Sequence, residues 1–184
     1  MHLLPDSAIL SPWMNRRTFI RRGLVGGLLL AVGGAVGLGV WPPERRAQPR
    51  RPLRALDPRQ FAVLAAIAAR TVQAPTADPV EIAHRVDVQM SLACPEVRAD
   101  FGKLLLLFDN ALAGLLLDGR ARPFTHLPPA AQDDALARWR DSHLVVRRSG
   151  YAILRKLTQG AHYAAPAAWP DTGYPGPPQL TVPT

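Results

Sequence analysis

The sequence contains one cysteine, Cys94, in 184 residues. Disulfide scaffolds, thiolate zinc sites and iron–sulfur clusters each need several cysteines, so these three classes are excluded. Lysine is also scarce, because Lys103 and Lys156 are the only two among 22 basic residues. No segment shows the alternation of apolar and polar residues that is typical of a half-buried strand. The length predicts one globular domain rather than a large multidomain enzyme.

The formal net charge of +8 is distributed unevenly along the chain. Residues 1–48 hold six arginines and two acidic residues and contribute a net +4. Residues 49–184 hold 16 basic and 12 acidic residues and contribute the other +4. Half of the excess therefore lies in about a quarter of the chain. The remainder is an ordinary, mildly basic surface, and we expect no nucleic-acid partner.

A charged segment near the N-terminus precedes an apolar one. Residues 15–22 read Asn-Arg-Arg-Thr-Phe-Ile-Arg-Arg, and the 18 uncharged residues that follow include seven glycines. Glycine lowers helix propensity by roughly 1 kcal/mol against alanine, so the apolar segment is weak as a bilayer helix. Arg16-Arg17 with Phe19 and Ile20 resembles the twin-arginine export signal, which carries folded proteins. The alternative is a single membrane-spanning helix, and an uncleaved segment would remain as an anchor.

The rest of the chain predicts an all-α domain of about five helices. Residues 1–41 form the signal segment, and residues 42–55 form an extended, solvated linker rich in proline and arginine. The helical domain covers residues 56–163. Asp57-Pro58 and Asp78-Pro79 each combine an N-cap with proline at the first helical position, which predicts the starts of two helices.

A third helix is expected to be the central one, beginning at Ser91 or Cys94 and ending at Asp118-Gly119. Its predicted apolar face comprises Phe101, Leu104, Leu105, Phe108, Leu112, Leu115 and Leu116. A short polar helix follows Leu127-Pro128-Pro129, and a final helix runs from about Asp141 to Tyr163. The final helix is expected to group Leu144, Arg148, Tyr151, Arg155 and Leu157, with Val145 and Ile153 widening that face.

The last 21 residues, 164–184, contain six prolines and predict an extended arm. Trp169 and Tyr174 within it either pack back on their own domain or lie across a partner subunit. The partner alternative would also use the neighbouring segment Pro175-Gly176-Pro177. Cys94 similarly has two interpretations, a buried inert thiol or an intermolecular disulfide with a partner.

Few residues suggest chemistry. His84 and Asp87 are three apart on a predicted helix, which favours a surface or partly buried polar contact over an acid–base pair. No two histidines have the i, i+4 spacing that holds zinc on one helical face, and no glycine-rich phosphate or dinucleotide motif follows the signal. Arg147-Arg148 and Arg155-Lys156 predict a basic ridge that is either solvated or orients a partner. We therefore assign this chain no catalytic, cofactor-binding or metal-binding residues.

These segments together resemble the gluconate 2-dehydrogenase subunit 3 family, the small subunit of membrane-associated flavin dehydrogenases in bacteria. The resemblance covers most of the chain, including the signal at Arg16-Arg17 and the first helix at residues 56–68. It also includes the turn Phe124-Thr125-His126-Leu127-Pro128 and the segment Gly173-Tyr174-Pro175-Gly176-Pro177.

The resemblance implies a non-catalytic subunit that exports and stabilises a large flavin subunit of the glucose–methanol–choline type. FAD would belong to that large subunit and not to this chain. A cytochrome c subunit and the export translocase are further implied partners, and the location would be periplasmic and membrane-associated. The competing interpretation is a membrane-tethered periplasmic helical module, with a binding or structural role and no flavin partner.

Overall fold

The computed structural model describes residues 47–111, 114 and 122–177. About 70% of these residues are helical, with six α-helices, two 3-10 turns and no strand among them. The all-α prediction is confirmed. The signal residues Arg16, Arg17, Phe19 and Ile20 lie outside the described residues, as does the end of the arm from residue 178.

The first two helices begin at the predicted residues. Helix α1 spans Pro58–Thr71, and helix α2 spans Pro79–Ser91. At the start of α1, the Asp57 carboxylate accepts from the Gln60 amide at 2.8 Å, and the Gln60 side chain accepts from the Asp57 amide at 3.0 Å. This reciprocal capping box satisfies two donors that a helix start leaves unpaired.

Helix α1 is the central helix, so the prediction that the third helix occupies the centre is wrong. Seven of the eight residues from Phe61 to Ala68 are buried. Three other long helices and the short polar helix pack around α1. Alanine and branched aliphatic side chains alternate along α1 and allow this close approach from several sides. Burying each large apolar side chain contributes about 1.5 to 3 kcal/mol.

Helix α3 spans Pro95–Asp109 and ends earlier than predicted. Asn110 takes an extended conformation, with φ −67° and ψ 118°. The carboxylate of Asp109 turns inward and accepts from the amide and the hydroxyl of Thr125, each at 2.9 Å. The helix therefore ends at a buried polar contact, where Asp109 and Asn110 divide two apolar stretches of sequence. The predicted face residues Leu112, Leu115 and Leu116 lie outside the described residues.

Helix α4 spans Pro129–Arg140 after the 3-10 turn Phe124–His126, and helix α5 spans Val145–Tyr163. The predicted face of α5 is correct only in part, because Tyr151 and Leu157 pack against the core whereas Leu144, Val145 and Ile153 are exposed. The buried face consists of Arg147, Gly150, Leu154, Thr158, Ala161 and His162.

Two contacts explain which side of α5 is buried. A Cβ atom at Gly150 would lie 2.9 Å from the Trp139 ring and 3.0 Å from Leu104, so glycine lets α5 approach α4 closely. The Arg147 guanidinium lies over the same indole ring, 5.5 Å from its centroid. This cation–π contact lets an arginine occupy a buried position.

The C-terminal arm is folded where the sequence predicts an extended chain. Residues Pro166–Ala168 form a 3-10 turn, and Trp169–Thr172 form the short helix α6. Gly173, with φ 68°, ends α6 in the left-handed conformation that glycine adopts readily. Proline stands near the start of each turn, where a missing backbone donor does no harm.

Candidate partner-contact surface

Residues 50–56, here called the strap, run along α2 on their way into the domain. Asp87 of α2 accepts hydrogen bonds from three consecutive strap amides, those of Arg54 at 2.8 Å, Ala55 at 3.0 Å and Leu56 at 2.9 Å. Nearer the start of α2, the Nε2 atom of His84 accepts from the Arg50 amide at 3.1 Å. Side chains of α2 therefore supply the hydrogen-bond acceptors for the backbone amides of the strap.

Two ion pairs add to these hydrogen bonds at the surface. Arg50 pairs with Asp78, and Arg51 pairs with Glu81 at 3.0 Å. The predicted solvated linker is therefore wrong from residue 50 onward. Leu53 is partly buried against the core, and Leu56 belongs to it.

The structure gives His84 and Asp87 a fastening role. Both side chains are almost fully buried, and the bonds they accept come from backbone amides of the strap. Burial lowers the pKa of His84, and the Arg51 guanidinium acts in the same direction. A neutral imidazole is the form that can accept the Arg50 amide. The two residues make polar contacts as expected, but in a buried position rather than at the surface or partly buried.

An exposed apolar face runs along the outer side of α5. It consists of Val145, Val146, Ile153 and Tyr163, with Leu144 immediately before the helix. These five side chains are 43% to 51% exposed. At 3.6 residues per turn, the four within the helix fall within about 100° of one another. We call this set the α5 apolar face.

The α5 apolar face differs from an ordinary solvated helix surface. Solvated faces are normally polar, and apolar patches on soluble proteins commonly mark interaction sites. Ser149 and Lys156 are interspersed among these apolar residues on the same side of α5. Gly160 lies on the same side, and a Cβ there would meet no atom within 4 Å. The outer side of α5 thus has both apolar side chains and open space.

The C-terminal arm packs on its own domain at one end and is exposed at the other. The Asp171 carboxylate accepts from the hydroxyl of Thr76, in the loop before α2, and from its amide at 3.3 Å. Trp169 is half-buried and meets Tyr174 edge to face, with ring centroids 5.4 Å apart. Gly176 has φ 106°, and a Cβ there would lie 3.0 Å from the Trp169 ring. The arm therefore forms its own small aromatic cluster.

The outer residues of the arm are accessible. Tyr174 is 48% exposed, and Pro175 and Pro177 are also exposed. Of the two expected arrangements, the contact between Asp171 and Thr76 and the burial of Ala168 match an arm folded back on its own domain, whereas Trp169 contacts residues of the arm itself. Tyr174 and the two prolines remain able to contact a second molecule.

Cys94 is a free, exposed cysteine at the N-cap of α3, where its side chain makes no capping hydrogen bond. The expectation of a buried thiol is therefore wrong, while the intermolecular disulfide stays a prediction. Leu92 and Val97, on either side of it in sequence, are 85% and 50% exposed. Exposed apolar residues therefore flank Cys94 in the sequence.

The predicted contact residues do not converge on one place. Cys94 follows the C-terminal end of α2, whereas the arm contacts Thr76 ahead of its N-terminal end. A 13-residue helix is about 20 Å long, which separates the two surfaces. The basic ridge is also divided, because Arg147 is buried over Trp139 while Arg155 and Lys156 are exposed.

No protein-family model, curated protein or solved structure matches the chain. Within residues 47–111, 114 and 122–177, no helix is long and apolar enough to cross a membrane. The same residues contain no group of three or more His, Cys, Asp or Glu side chains that could hold a metal ion.

Proposed function

We propose that this chain is a non-catalytic small subunit that escorts, exports and stabilises a flavin-dependent dehydrogenase. The large subunit would be of the glucose–methanol–choline type and would oxidise a sugar or an alcohol. The observation that carries the proposal is the α5 apolar face in a chain whose N-terminal segment resembles a signal for folded cargo. A twin-arginine signal exports folded proteins, and the α5 apolar face offers a surface on which a folded partner could dock.

The division of chemistry follows from the resemblance described above. FAD would be bound by the large subunit, and a cytochrome c subunit would receive the electrons. The complex would lie in the periplasm, associated with the membrane through its other subunits or through an uncleaved signal segment. Arg16, Arg17, Phe19 and Ile20 would be read by the export translocase.

The strap supports this role by fixing the point where the N-terminal segment leaves the domain. Arg17 and Arg50 are 33 residues apart. An extended segment of that length spans at most about 110 Å. The signal could therefore reach a translocase while the helical domain remained bound to a large folded partner. Export of an assembled pair requires such a reach.

The α5 apolar face would form the centre of the subunit interface. Interface centres are depleted in charged residues and enriched in large apolar and aromatic ones. The five side chains of the face are apolar or aromatic, although the exposed Lys156 lies on the same side of α5. Tyr174, Pro175 and Pro177 of the arm, together with Cys94, would contact other parts of the large subunit, because they lie at separate places on the surface.

The test is to purify the affinity-tagged full chain from membranes of its native host. We expect a flavin-containing polypeptide to co-purify in constant ratio, with FAD released on denaturation. In a strain that lacks this chain, that polypeptide should remain in the cytoplasm or be degraded. Replacing Arg16 and Arg17 together with lysine should leave the pair assembled and flavin-loaded, but cytoplasmic.

Two results would overturn the proposal. One is a flavin subunit that reaches the periplasm in normal yield without this chain. The other is tightly bound flavin in the isolated chain itself. If the tagged chain stays membrane-bound and no flavin protein accompanies it, the apolar segment of residues 23–40 would act as a tether. The chain would then be a periplasmic helical module without a flavin partner.

A further inference from the structure

A polar groove lies between α1, α4 and α5, on a different side of α5 from the apolar face. Its volume is about 290 Å³. The polar groups that line it include Arg70, Asp133, Arg140, Tyr151, Arg155 and Gln159. The groove is therefore large enough for one or two carboxylate groups with part of their side chains.

Three arginines and one aspartate give the groove an excess of positive charge. Arg70 is already paired, since its Nε and Nη2 atoms donate to the two oxygens of Asp133 at 2.8 and 2.6 Å. Arg140 makes a similar two-point pair with Asp141, at 2.8 Å for each bond.

Arg155 differs from the other two arginines of the groove. Its side chain has no acidic partner among the residues that the structure describes. It projects from α5 one turn after Tyr151 and one turn before Gln159, so all three side chains lie along one edge of the groove. The edge thus has a guanidinium, a hydroxyl and an amide as hydrogen-bond donors, and the Gln159 amide already donates to the Thr71 carbonyl at 3.3 Å.

We propose that this groove binds carboxylate groups of an acidic surface segment on the partner protein, with Arg155 as the principal contact. Arginine presents a planar fork of donors that matches a carboxylate at two points. The groove already contains such a pair, because the Arg70 fork holds the Asp133 carboxylate. A second carboxylate on Arg155 would repeat that arrangement on the opposite wall. The Tyr151 hydroxyl would complete the site by donating to it.

That the carboxylates belong to a flavin subunit rests on the function proposed above, whereas their binding to the groove does not. Charged contacts of this kind set the orientation and the rate of association more than the affinity of a complex. The groove would fix the angle at which the partner settles on the α5 apolar face.

The experiment measures binding of a fluorescein-labelled pentaglutamate peptide to the purified full chain by fluorescence anisotropy. The Arg155→Gln variant should bind about tenfold more weakly, since hydrogen bonds to charged groups are among the stronger ones. The matched control is Lys156→Gln, which removes the same charge at the next residue, outside the groove. The affinity of that variant for the peptide should stay within about twofold of the wild-type affinity, because Lys156 does not line the groove. Any binding of the peptide to the basic N-terminal segment is the same in both variants. Tyr151→Phe should weaken binding less than Arg155→Gln does.

Equal weakening in Arg155→Gln and Lys156→Gln would overturn the inference, because the peptide would then be responding to net charge alone. If the groove binds inorganic phosphate or acetate but not the peptide, the inference that its ligand is a protein segment is wrong. Circular dichroism of each variant checks that the helices are intact. If the wild-type chain does not bind the peptide but a flavin subunit is exported normally, the proposed role of the groove is refuted and the escort function is not. Peptide binding without any flavin subunit would refute only the escort function.

Discussion

Replacing Asp87 with alanine should release the strap from α2 and destabilise the whole domain. The carboxylate accepts from three consecutive amides at 2.8 to 3.0 Å and is almost fully buried. Alanine offers no acceptor, so the amides of Arg54, Ala55 and Leu56 would each lose their partner. The loss would propagate to the core because Leu56 is one of its members.

The size of the effect follows from how much water can replace the lost bonds. The amides of Arg54 and Ala55 are partly buried and can turn towards solvent, whereas the bond to the Leu56 amide is buried. A buried donor without a partner costs about 1 to 3 kcal/mol. With some loss of packing by Leu53 and Leu56, we expect a total of about 2 to 4 kcal/mol. Domains of this size are stable by only about 5 to 15 kcal/mol.

Urea denaturation of the full chain, followed by circular dichroism, measures the global loss. Trypsin measures local release, because the Arg54–Ala55 peptide bond lies inside the strap and its cleavage creates a new N-terminus at Ala55. Asp100→Ala is the control, since Asp100 makes only an exposed pair with Lys103 at 3.1 Å. It should change stability by less than about 0.5 kcal/mol. If Asp87→Ala matches this control in both assays, the carboxylate does not hold the strap.

Four further results are expected. The pKa of His84 lies below its ordinary 6.5. The stabilisation from the bond that His84 accepts from the Arg50 amide is therefore complete above pH 6.5 and is lost as the pH falls through the lower folded-state pKa. The stability of a His84→Phe variant should change less with pH over this range. Gly150→Ala should cost about 1 to 3 kcal/mol through overpacking on the indole ring, whereas Gly160→Ala should stabilise by about 0.5 to 1 kcal/mol because its Cβ meets open space; equal unfolding midpoints would contradict this. Ile153→Ser should leave the melting temperature nearly unchanged yet weaken co-purification of the flavin subunit, and an unaffected complex would remove the α5 apolar face from the interface. Cys94 should react with a thiol reagent in the native state as fast as in urea, and slow native labelling would show that it is covered.

Local sequence signals were sufficient for the starts of α1 and α2. Asp57-Pro58 and Asp78-Pro79 carry their capping information within three or four residues, so no tertiary contact is needed to interpret them. Gln60, three residues after Asp57, was a further available signal, because it completes the capping box. The all-α class followed from such starts combined with helical spacing of apolar residues.

The end of α3 and the buried side of α5 depend on contacts distant in sequence. The last residue of α3, Asp109, binds Thr125, and no local sequence pattern near residue 109 identifies that partner. On α5, hydrophobicity wrongly predicted that Val145 and Ile153 would be buried, because the inward side includes an arginine and Thr158 instead. The Thr158 hydroxyl is 2.9 Å from that of Thr71 on α1, so hydrogen bonding makes its burial possible.

The candidate site was predicted only in part for the same reason. The prolines and arginines of the strap favoured the prediction of a solvated linker, although Leu53 and Leu56 indicated that the segment packs on the core. The pair His84 and Asp87 was recognised as polar groups on one helical face. Their partners could not be identified, because backbone amides of any segment look alike in a sequence.

The direction of the strap has a mechanical consequence. Residue 50 lies beside Asp78 and His84, and residues 54–56 lie beside Asp87, so the strap runs parallel to α2. A pulling force on the N-terminal segment would act along this line and load several bonds at once, in shear. Separation one bond at a time would require a pull perpendicular to α2. The domain should therefore resist a pull on its N-terminal segment better along the axis of α2 than perpendicular to it.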